Sequence, residues 1–248
     1  MTTRRSQRRQ ERRERDMRVT VIVGGALILA LAGAFIALRP PPQEDYGRVP
    51  RANRVTAANM KPTDGTNICD QFPARTGLET SPPKMVIDRG KDYSAWIDVG
   101  FGTIVVDLYA NIAPQTVNNF MWLACSDFYS GLGFHRVIPG FMAQGGDPNG
   151  DGTGGPGYTI PDEFALSDLK FDKEGLLSMA HTQAPNSAGS QFFITYGPAD
   201  HLDNSFTIFG EVVSGMEVVQ ALAPRDPQLP SRTPPDRIAN IVVRQVSK

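Results

Sequence analysis

The residues best suited to chemistry lie close together at 134–147, a segment that reads FHRVIPGFMAQGGD. It places a fixed positive charge, Arg136, a few residues before the bulky apolar pair Phe141 and Met142 and the amide of Gln144. A glycine-rich loop follows at once. An apolar slot beside one guanidinium suits a substrate that is apolar and uncharged, such as a proline within a peptide.

A second block follows about forty residues later, where residues 189–195 read GSQFFIT. Its Ser190 lies in Gly-Ser-Gln and not in the Gly-x-Ser-x-Gly turn of a serine hydrolase. The loop at 147–152 matches the first half of a calcium-binding loop, but Tyr158 occupies the place of the bidentate Glu that such a loop needs. It also lacks the Gly-Lys-Ser/Thr ending of a phosphate-binding loop.

The histidines do not have the spacing of metal ligands. They are widely separated in the sequence, at His135, His181 and His201. His135, next to Arg136, is expected to be a structural histidine with its hydrogen bonds satisfied. The pattern therefore predicts a site that works without a metal, a cofactor or a nucleophile.

The two strings resemble the cyclophilin family of peptidyl-prolyl cis/trans isomerases, in a membrane-anchored bacterial form. They are long and specific, and they occur in the family's order and at nearly its spacing. The resemblance runs from about residue 93 to residue 246. It implies a mainly β fold, an eight-stranded antiparallel closed barrel capped by two α-helices.

The resemblance also implies roles for individual residues. Arg136 matches the catalytic arginine, which donates toward the prolyl nitrogen. The residues matching the substrate-binding positions are Phe141, Met142, Gln144, Gly152, Ala180, His181, Thr182, Gln191, Phe193, His201, Leu202 and Phe206. Within this set, Gln144 corresponds to the glutamine that orients the arginine, and residues 180–182 correspond to the stretch whose backbone binds the peptide before proline.

Three of these positions depart from the family's pattern. His181 stands where asparagine is usual, and one extra residue follows it at 183–184. His201 stands where cyclosporin-sensitive members carry tryptophan, so weakened cyclosporin binding is expected. Phe206 replaces a histidine found in many members. It keeps a flat apolar wall, which agrees with a reaction that needs no acid–base histidine.

Two functional classes remain open. The first is an active prolyl isomerase that assists the folding of exported or surface proteins. The second is a membrane-tethered module that binds proline-containing polypeptides with little catalysis. Arg136 and the intact apolar pocket favour the first, and a monomer is expected in either case.

Periodicity predicts the elements that must hold these residues. Helical spacing of Val117, Phe120, Met121 and Ala124 indicates a helix over 113–126, with Pro114 allowed in its first turn. A second short helix is expected over 215–222. Strands are predicted at 94–99, 103–108, 134–142, 175–180, 191–195, 206–212 and 238–245, with a proline-rich surface loop at 223–237.

The N-terminus differs from the rest of the 248-residue chain, whose net charge of −1 does not suggest a nucleic-acid partner. Eight arginines lie within the first eighteen residues. Residues 19–38 read VTVIVGGALILALAGAFIAL, and twenty residues of helix span about 30 Å, the thickness of a bilayer core. We therefore expect a single transmembrane helix with a cytoplasmic N-terminus and the main domain outside the cell membrane.

A cleaved secretory signal is the alternative, since residues 30–32 and 32–34 offer small-x-small sites. Against it, the apolar run continues through Leu38. In both cases the main domain lies outside the cytoplasm. The expected organisation is a basic tail (1–18), the transmembrane helix (19–38), a Pro-rich spacer (39–83) and the isomerase-like domain (84–248).

The two cysteines lie in different parts of this organisation. Cys69 is in the spacer, and Cys125 is on the first predicted helix, on the face of Trp122 and not on the core-facing stripe. Outside the cytoplasm a disulfide can persist. A bond between them would attach the spacer to the helix, and two unrelated thiols are the alternative.

Overall fold

The structure, a computed structural model, describes residues 66–77, 79–227 and 234–246. The predicted basic tail (1–18), the predicted transmembrane helix (19–38) and the spacer up to residue 65 lie outside the described residues, as do residues 228–233 of the proline-rich loop. Within the described ranges, no helix combines the length and the apolar character needed to cross a membrane.

One antiparallel sheet organises the described residues, with two α-helices packed on it. The strands are β1 (Thr66–Asn67), β2 (Asp92–Asp98), β3 (Thr103–Leu108), β4 (Arg136–Ile138), β5 (Met142–Gly145), β6 (Leu176–Met179), β7 (Phe192–Thr195), β8 (Ile208–Ser214) and β9 (Asn240–Val246). The helices are α1 (Pro114–Cys125) and α2 (Met216–Gln220). Short 3₁₀ helices cover Cys69–Gln71, Phe164–Leu166 and Asp200–Leu202.

The prediction of an eight-stranded closed barrel is wrong, although the mainly β character is confirmed. The nine strands follow the order β1-β9-β2-β3-β8-β6-β7-β5-β4, so β1 and β4 are the two edges of the sheet. Both edges are short. The outer side of β4 bonds to an irregular segment through a single bridge, in which Val137 and Arg225 exchange both backbone hydrogen bonds at 2.6 and 2.9 Å. This bridge occupies the position at which a closing strand would pair.

The strand predicted over 134–142 is divided into β4 and β5 by a tight turn. Pro139 and Gly140 occupy its centre, with Gly140 at φ +76°, and the Phe141 amide donates to the Ile138 carbonyl at 3.0 Å. Proline followed by a residue of positive φ is typical of a type II turn. The turn pairs Arg136 with Gln144 across a hairpin.

The sheet separates two apolar clusters. The larger one contains the buried side of α1, including Phe120, and residues such as Ala143 and Ile194 that point to it from β5 and β7. The smaller one contains Met142 and Phe193, the immediate neighbours of those residues in the sequence. Because successive side chains of a strand point to opposite faces, these strands are buried on both faces, and they read as nearly continuous apolar runs.

Residues 66–77, which the sequence assigns to the spacer, pack on this domain. Ile68 and Phe72 are 2% and 8% exposed and belong to the larger cluster. Cys69 forms a disulfide with Cys125 at the end of α1. The indole nitrogen of Trp122, one turn earlier, donates to the carbonyl of Pro73 at 2.7 Å. The packed domain therefore extends upstream to residue 66.

We predict that removing the disulfide with Cys69→Ser and Cys125→Ser lowers the free energy of unfolding by about 2–4 kcal/mol, because the bond closes a loop across 56 positions and limits the unfolded chain. Urea denaturation of the described domain measures the change. Reducing the wild type should cause a similar loss and leave the double variant unchanged. The prediction would be contradicted if the urea midpoint of the wild type did not change when reductant was added.

Candidate active site

Three strands align the central residues of the candidate site. Arg136 on β4 lies opposite Gln144 on β5, and Gln144 lies opposite Phe193 on β7. Residues directly opposite each other in antiparallel strands share a face. The guanidinium, the amide and the phenyl ring therefore form a row across one face of the sheet, the face of the smaller apolar cluster.

That cluster contains the apolar residues predicted to hold a substrate. Met142 and Phe193 are buried, at 2% and 5% exposure. Phe141, Leu202 and Phe206 are partly buried and pack against them, and the rings of Phe193 and Phe206 meet edge to face at 5.6 Å. Ala180 packs at the same place. Residues separated by as many as 65 positions in the sequence are thus brought to one pocket.

Several residues of this cluster were not among the predicted site residues. They are Phe171, Leu176, Ala199 and Ile208. The Phe171 ring lies stacked on Phe193 with a centroid distance of 6.0 Å and supports the pocket from behind. The one local feature that marks Phe171 in the sequence is its position as an isolated aromatic residue within the polar stretch 167–175.

Arg136 is half-buried at the edge of this apolar surface. Burial lowers the pKa of its guanidinium from the ordinary value, and the carboxylate of Asp226 opposes that shift. An arginine nevertheless stays charged at any ordinary pH. The result is a fixed cation in surroundings of reduced polarity, where its hydrogen bonds to a substrate are stronger than they are in water.

A pair of amides fixes the polar side of the site. The Gln144 side chain donates from Nε2 to Oε1 of Gln191 at 2.8 Å. Gln191 Nε2 in turn donates to the carbonyls of Gly152 and Gly154, at 3.0 and 2.9 Å. Both amides are therefore held in one orientation, and Gln191 connects β7 to the glycine-rich loop.

The loop itself is organised by a buried carboxylate. Asp147 accepts hydrogen bonds from the backbone amides of Asn149, Asp151 and Gly152, at 2.8, 3.0 and 2.5 Å. Gly152 has φ +93°, a conformation that favours glycine. The segment that matches the first half of a calcium-binding loop is thus a loop that folds around its first residue, Asp147.

The far wall of the site is formed by residues 180–182. The Ala180 amide donates to the Gln191 carbonyl at 2.9 Å. The imidazole of His181 contacts the Phe206 ring, with centroids 4.5 Å apart. Thr182 is exposed, and its backbone amide and hydroxyl both bond to the Ser187 hydroxyl, at 3.0 and 2.9 Å. The structure therefore places Ala180 and His181 at the pocket, with Thr182 next to them in the chain.

His201 lies at the rim of the pocket. It is exposed, on the 3₁₀ helix Asp200–Leu202, and its ring centroid is 5.4 Å from that of Phe141. Weakened cyclosporin binding at this position stays a prediction, as do the individual substrate-binding roles of the residues above.

His135 differs from the expectation of a satisfied histidine. It is 2% exposed, yet neither ring nitrogen has a hydrogen-bond partner among the described residues. It lines a cavity of about 260 Å³ together with Asp147 and Arg237. Burial lowers the pKa of His135, Asp147 opposes the shift, and Arg136 adds to it. Burial therefore favours the neutral form of this imidazole.

These features define a class of protein. The site has one fixed cation, two oriented amides and an apolar pocket on an open sheet face. In the described residues no cluster of side chains is suited to bind a metal. Such a surface binds an extended, uncharged and apolar peptide segment and places one strong donor beside it.

Comparison with known proteins gives the family. Residues 95–243 match the family model described as cyclophilin type peptidyl-prolyl cis-trans isomerase/CLD. The chain belongs to this family. The predicted enzyme class, a peptidyl-prolyl cis-trans isomerase, is confirmed by the matched domain and by relatives that carry that name.

Two bacterial relatives illustrate the similarity. Peptidyl-prolyl cis-trans isomerase B of Bacillus subtilis is 50% identical over 123 residues, which cover 50% of this chain and 85% of the relative. Peptidyl-prolyl cis-trans isomerase A of Mycobacterium tuberculosis is 46% identical over 147 residues, covering 52% of this chain and 80% of the relative.

Solved structures agree. A cyclophilin-type isomerase from Cryptosporidium parvum superposes with a TM-score of 0.56 and 34% identity, over 61% of this chain and 97% of that one. The same protein has been solved in the presence of the dipeptide Ala-Pro, with a TM-score of 0.55 to this chain.

We predict that His135 makes the fold less stable in acid. Because its pKa is lowered in the folded state, the unfolded chain binds the proton more readily, so stability falls as the pH drops through the ordinary value of 6.5. His135→Gln should reduce the change in the free energy of unfolding with pH. The reduction is at most the contribution of one proton, about 1.4 kcal/mol per pH unit.

Urea denaturation at several pH values between about 5 and 7.5 measures this slope. His201→Gln is the matched control, because it makes the same substitution at an exposed histidine. Equal slopes for the wild type and His135→Gln would contradict a neutral, buried imidazole.

Proposed function

We propose that this chain accelerates cis/trans rotation about Xaa-Pro bonds in exported or surface proteins, and so assists their folding. The observation that carries the proposal is the position of Arg136, half-buried at the edge of an apolar pocket and on the same sheet face as Gln144 and Phe193. That geometry fits what rotation about a prolyl bond requires.

The barrier to this rotation is electronic. Amide resonance opposes twisting by about 18–20 kcal/mol, and the uncatalysed reaction takes about 10–100 s at room temperature. Twisting destroys the resonance and returns a lone pair to the prolyl nitrogen. A catalyst therefore needs a hydrogen-bond donor aimed at that nitrogen and a pocket that holds the ring, and it needs no bond-forming group.

Each part of the site supplies one of these requirements. The pocket of Met142, Phe193 and their neighbours would hold the proline ring, since apolar burial is its main source of affinity. Arg136 would donate to the nitrogen as it becomes pyramidal. This contact is stronger in the twisted state than in the planar one, which is the condition for faster rotation.

The oriented amides of Gln144 and Gln191 would hold the substrate segment on the other side of the prolyl bond, so that it does not rotate together with the proline ring. Gln191 is bonded to Gln144 and to two loop carbonyls, so it does not need to reorganise during the reaction. Such preorganised groups contribute most to stabilising a transition state.

We predict that Arg136→Ala lowers kcat/KM for an Xaa-Pro peptide by about a hundredfold, the usual effect of removing one preorganised donor. Arg136→Lys should restore little of the activity, since an ammonium does not reproduce the planar fork of the guanidinium. A protease-coupled isomerisation assay measures the rates.

Arg89→Ala is the matched control, because Arg89 is exposed and its guanidinium donates to the carbonyl of Asn111, outside the cluster that forms the pocket. It should retain wild-type activity. If the wild type and Arg136→Ala accelerate rotation equally, the catalytic role of Arg136 is wrong. If neither accelerates rotation while both bind the peptide, the alternative of a binding module with little catalysis is favoured.

We also propose that the domain works outside the cytoplasm, at the cell membrane or released from it. Support comes from the sequence, where an arginine-rich tail precedes a twenty-residue stretch whose only polar member is Thr20. The Cys69–Cys125 disulfide agrees with this location, because such bonds persist in oxidising compartments and are rare in the cytosol. The clients would then be polypeptides that fold after export.

Fractionation of intact cells tests the location. We expect a species of 27.0 kDa in the membrane fraction, digested by protease added to cells whose outer layers have been removed. A smaller species in the medium would instead indicate signal cleavage and release. A species that protease reaches only after lysis, with both thiols free to alkylation, would contradict an extracytoplasmic domain.

A further inference from the structure

The irregular segment that pairs with the edge strand β4 brings a carboxylate to the candidate site. Val137 and Arg225 exchange both backbone hydrogen bonds, at 2.6 and 2.9 Å, in an antiparallel bridge. One position further along each chain, this register sets Asp226 against Arg136. Residues next to such a doubly bonded pair lie closest to each other, with Cα atoms about 4.5 Å apart. Asp226 is therefore the neighbour of Arg136 on the side away from Gln144.

The electrostatics agree with this register. Burial lowers the pKa of Arg136, and the Asp226 carboxylate opposes that shift. Arg225, one residue earlier, acts on His135 instead, where it adds to the lowering of the pKa by burial. Because successive side chains of an extended segment point to opposite faces, this alternation is the one expected. Asp226 thus shares the face of Arg136 and adds a second charge to the row across the sheet.

Two prolines stiffen the backbone that presents this carboxylate. Residues 224–227 read PRDP. Pro224 fixes its own φ near about −65°, and Pro227 restricts the residue before it, Asp226, to an extended conformation. Asp226 is also partly buried. The carboxylate therefore has a defined position beside the guanidinium before any substrate binds.

This position corresponds to the part of a bound peptide that follows proline. Residues 180–182, which the family resemblance assigns to the peptide before proline, come directly after β6. Arg136 and Asp226 lie at β4, on the other side of β7 and β5 in the sheet order. The apolar pocket of Met142 and Phe193 lies between them, on β5 and β7. A peptide that runs from 180–182 across the pocket therefore places its next residue beside Arg136 and Asp226.

A guanidinium alone at this place would favour the wrong charge in a substrate. Its planar fork binds carboxylates strongly, so Arg136 by itself would attract an acidic side chain and repel a basic one. An acidic side chain bound there would occupy the donors that rotation needs at the prolyl nitrogen. A carboxylate next to the guanidinium acts in the opposite sense, because it repels the acidic side chain and attracts the basic one.

We propose that Asp226 is a specificity-determining residue, which selects for a basic and against an acidic residue immediately after proline. This inference rests on the proposed isomerase function. Arg136 keeps its role toward the prolyl nitrogen, while Asp226 sets the charge that the following residue meets. Pro-Lys and Pro-Arg segments are then the favoured substrates, and Pro-Asp and Pro-Glu segments are poor ones.

Three capped peptides that differ only after proline test this inference: Ala-Ala-Pro-Lys-Ala, Ala-Ala-Pro-Ala-Ala and Ala-Ala-Pro-Glu-Ala. NMR exchange spectroscopy gives KM for each of them without a coupling protease. For the wild type we expect KM to be about fivefold lower for the Lys peptide than for the Glu peptide, the effect of one charge pair near the surface. Asp226→Asn keeps the shape and removes the charge, so it should abolish or reverse this preference.

The ratio of KM values separates charge recognition from a structural effect, which would change KM for all three peptides alike. Asp226→Glu retains the charge and should retain the preference. Asp168→Asn is the matched control, because it removes one carboxylate at an exposed position between β5 and β6, and it should keep the wild-type ratio. Raising the salt from about 0.1 M to about 1 M shortens the screening length from about 10 Å to about 3 Å and should weaken the wild-type preference.

The inference is overturned if the wild type and Asp226→Asn have the same Lys-to-Glu ratio of KM, or if Asp168→Asn changes that ratio as much as Asp226→Asn does. A wild type that accelerates rotation in none of the three peptides would instead refute the proposed function. The dissociation constants of the same peptides would then decide whether Asp226 selects the charge.

Discussion

The alternation of side chains along β5 and β7 is the constraint on which the rest of the structure depends. One set of residues, including Ala143 and Ile194, faces α1 and the main core. The other set, including Met142 and Phe193, faces the pocket. Because the period is two, a shift of one residue in register would exchange the two sets. It would bury Gln144 in the core and remove the pocket.

The register is held from both directions. The type II turn at Pro139–Gly140 sets the pairing of β4 with β5, and therefore the position of Arg136 opposite Gln144. On the other side, β7 pairs with both β5 and β6. The main core supports this arrangement from below, where Phe120 of α1 meets Phe192 edge to face at 5.7 Å. The covalent attachment of residues 66–77 to the end of α1 adds to the stability of that support.

Local patterns predicted most of the fold, and the failures have a tertiary cause. Helical spacing placed α1 within two residues of its observed bounds, because Pro114 and the apolar stripe are local signals. Closure of a barrel is not a local property. It depends on whether β4 meets a strand or an irregular segment, and Arg225 lies in a proline-rich region that gives no strand signal. The contribution of Ile68 and Phe72 to the core was missed because two apolar residues within a polar stretch have no periodicity.

The candidate site was predicted to the extent that its residues lie in specific strings. Arg136, Met142 and Gln144 come from one hairpin, and Phe193 comes from the second block, so the sequence already contains the row across β4, β5 and β7. Phe171 was missed, since it approaches the site from the long segment between β5 and β6. Its identity as a pocket support depends on a stacking partner, Phe193, that only the folded chain brings to it.

The environment of His135, and not its residue type, decides how it responds to acid. Its imidazole is buried beside the Arg136 cation, and neither ring nitrogen has a hydrogen-bond partner among the described residues. Burial lowers its pKa and so favours the neutral form. Acid therefore works against the fold through this residue, and the pocket keeps its shape only while the core behind Arg136 tolerates the protonation of His135.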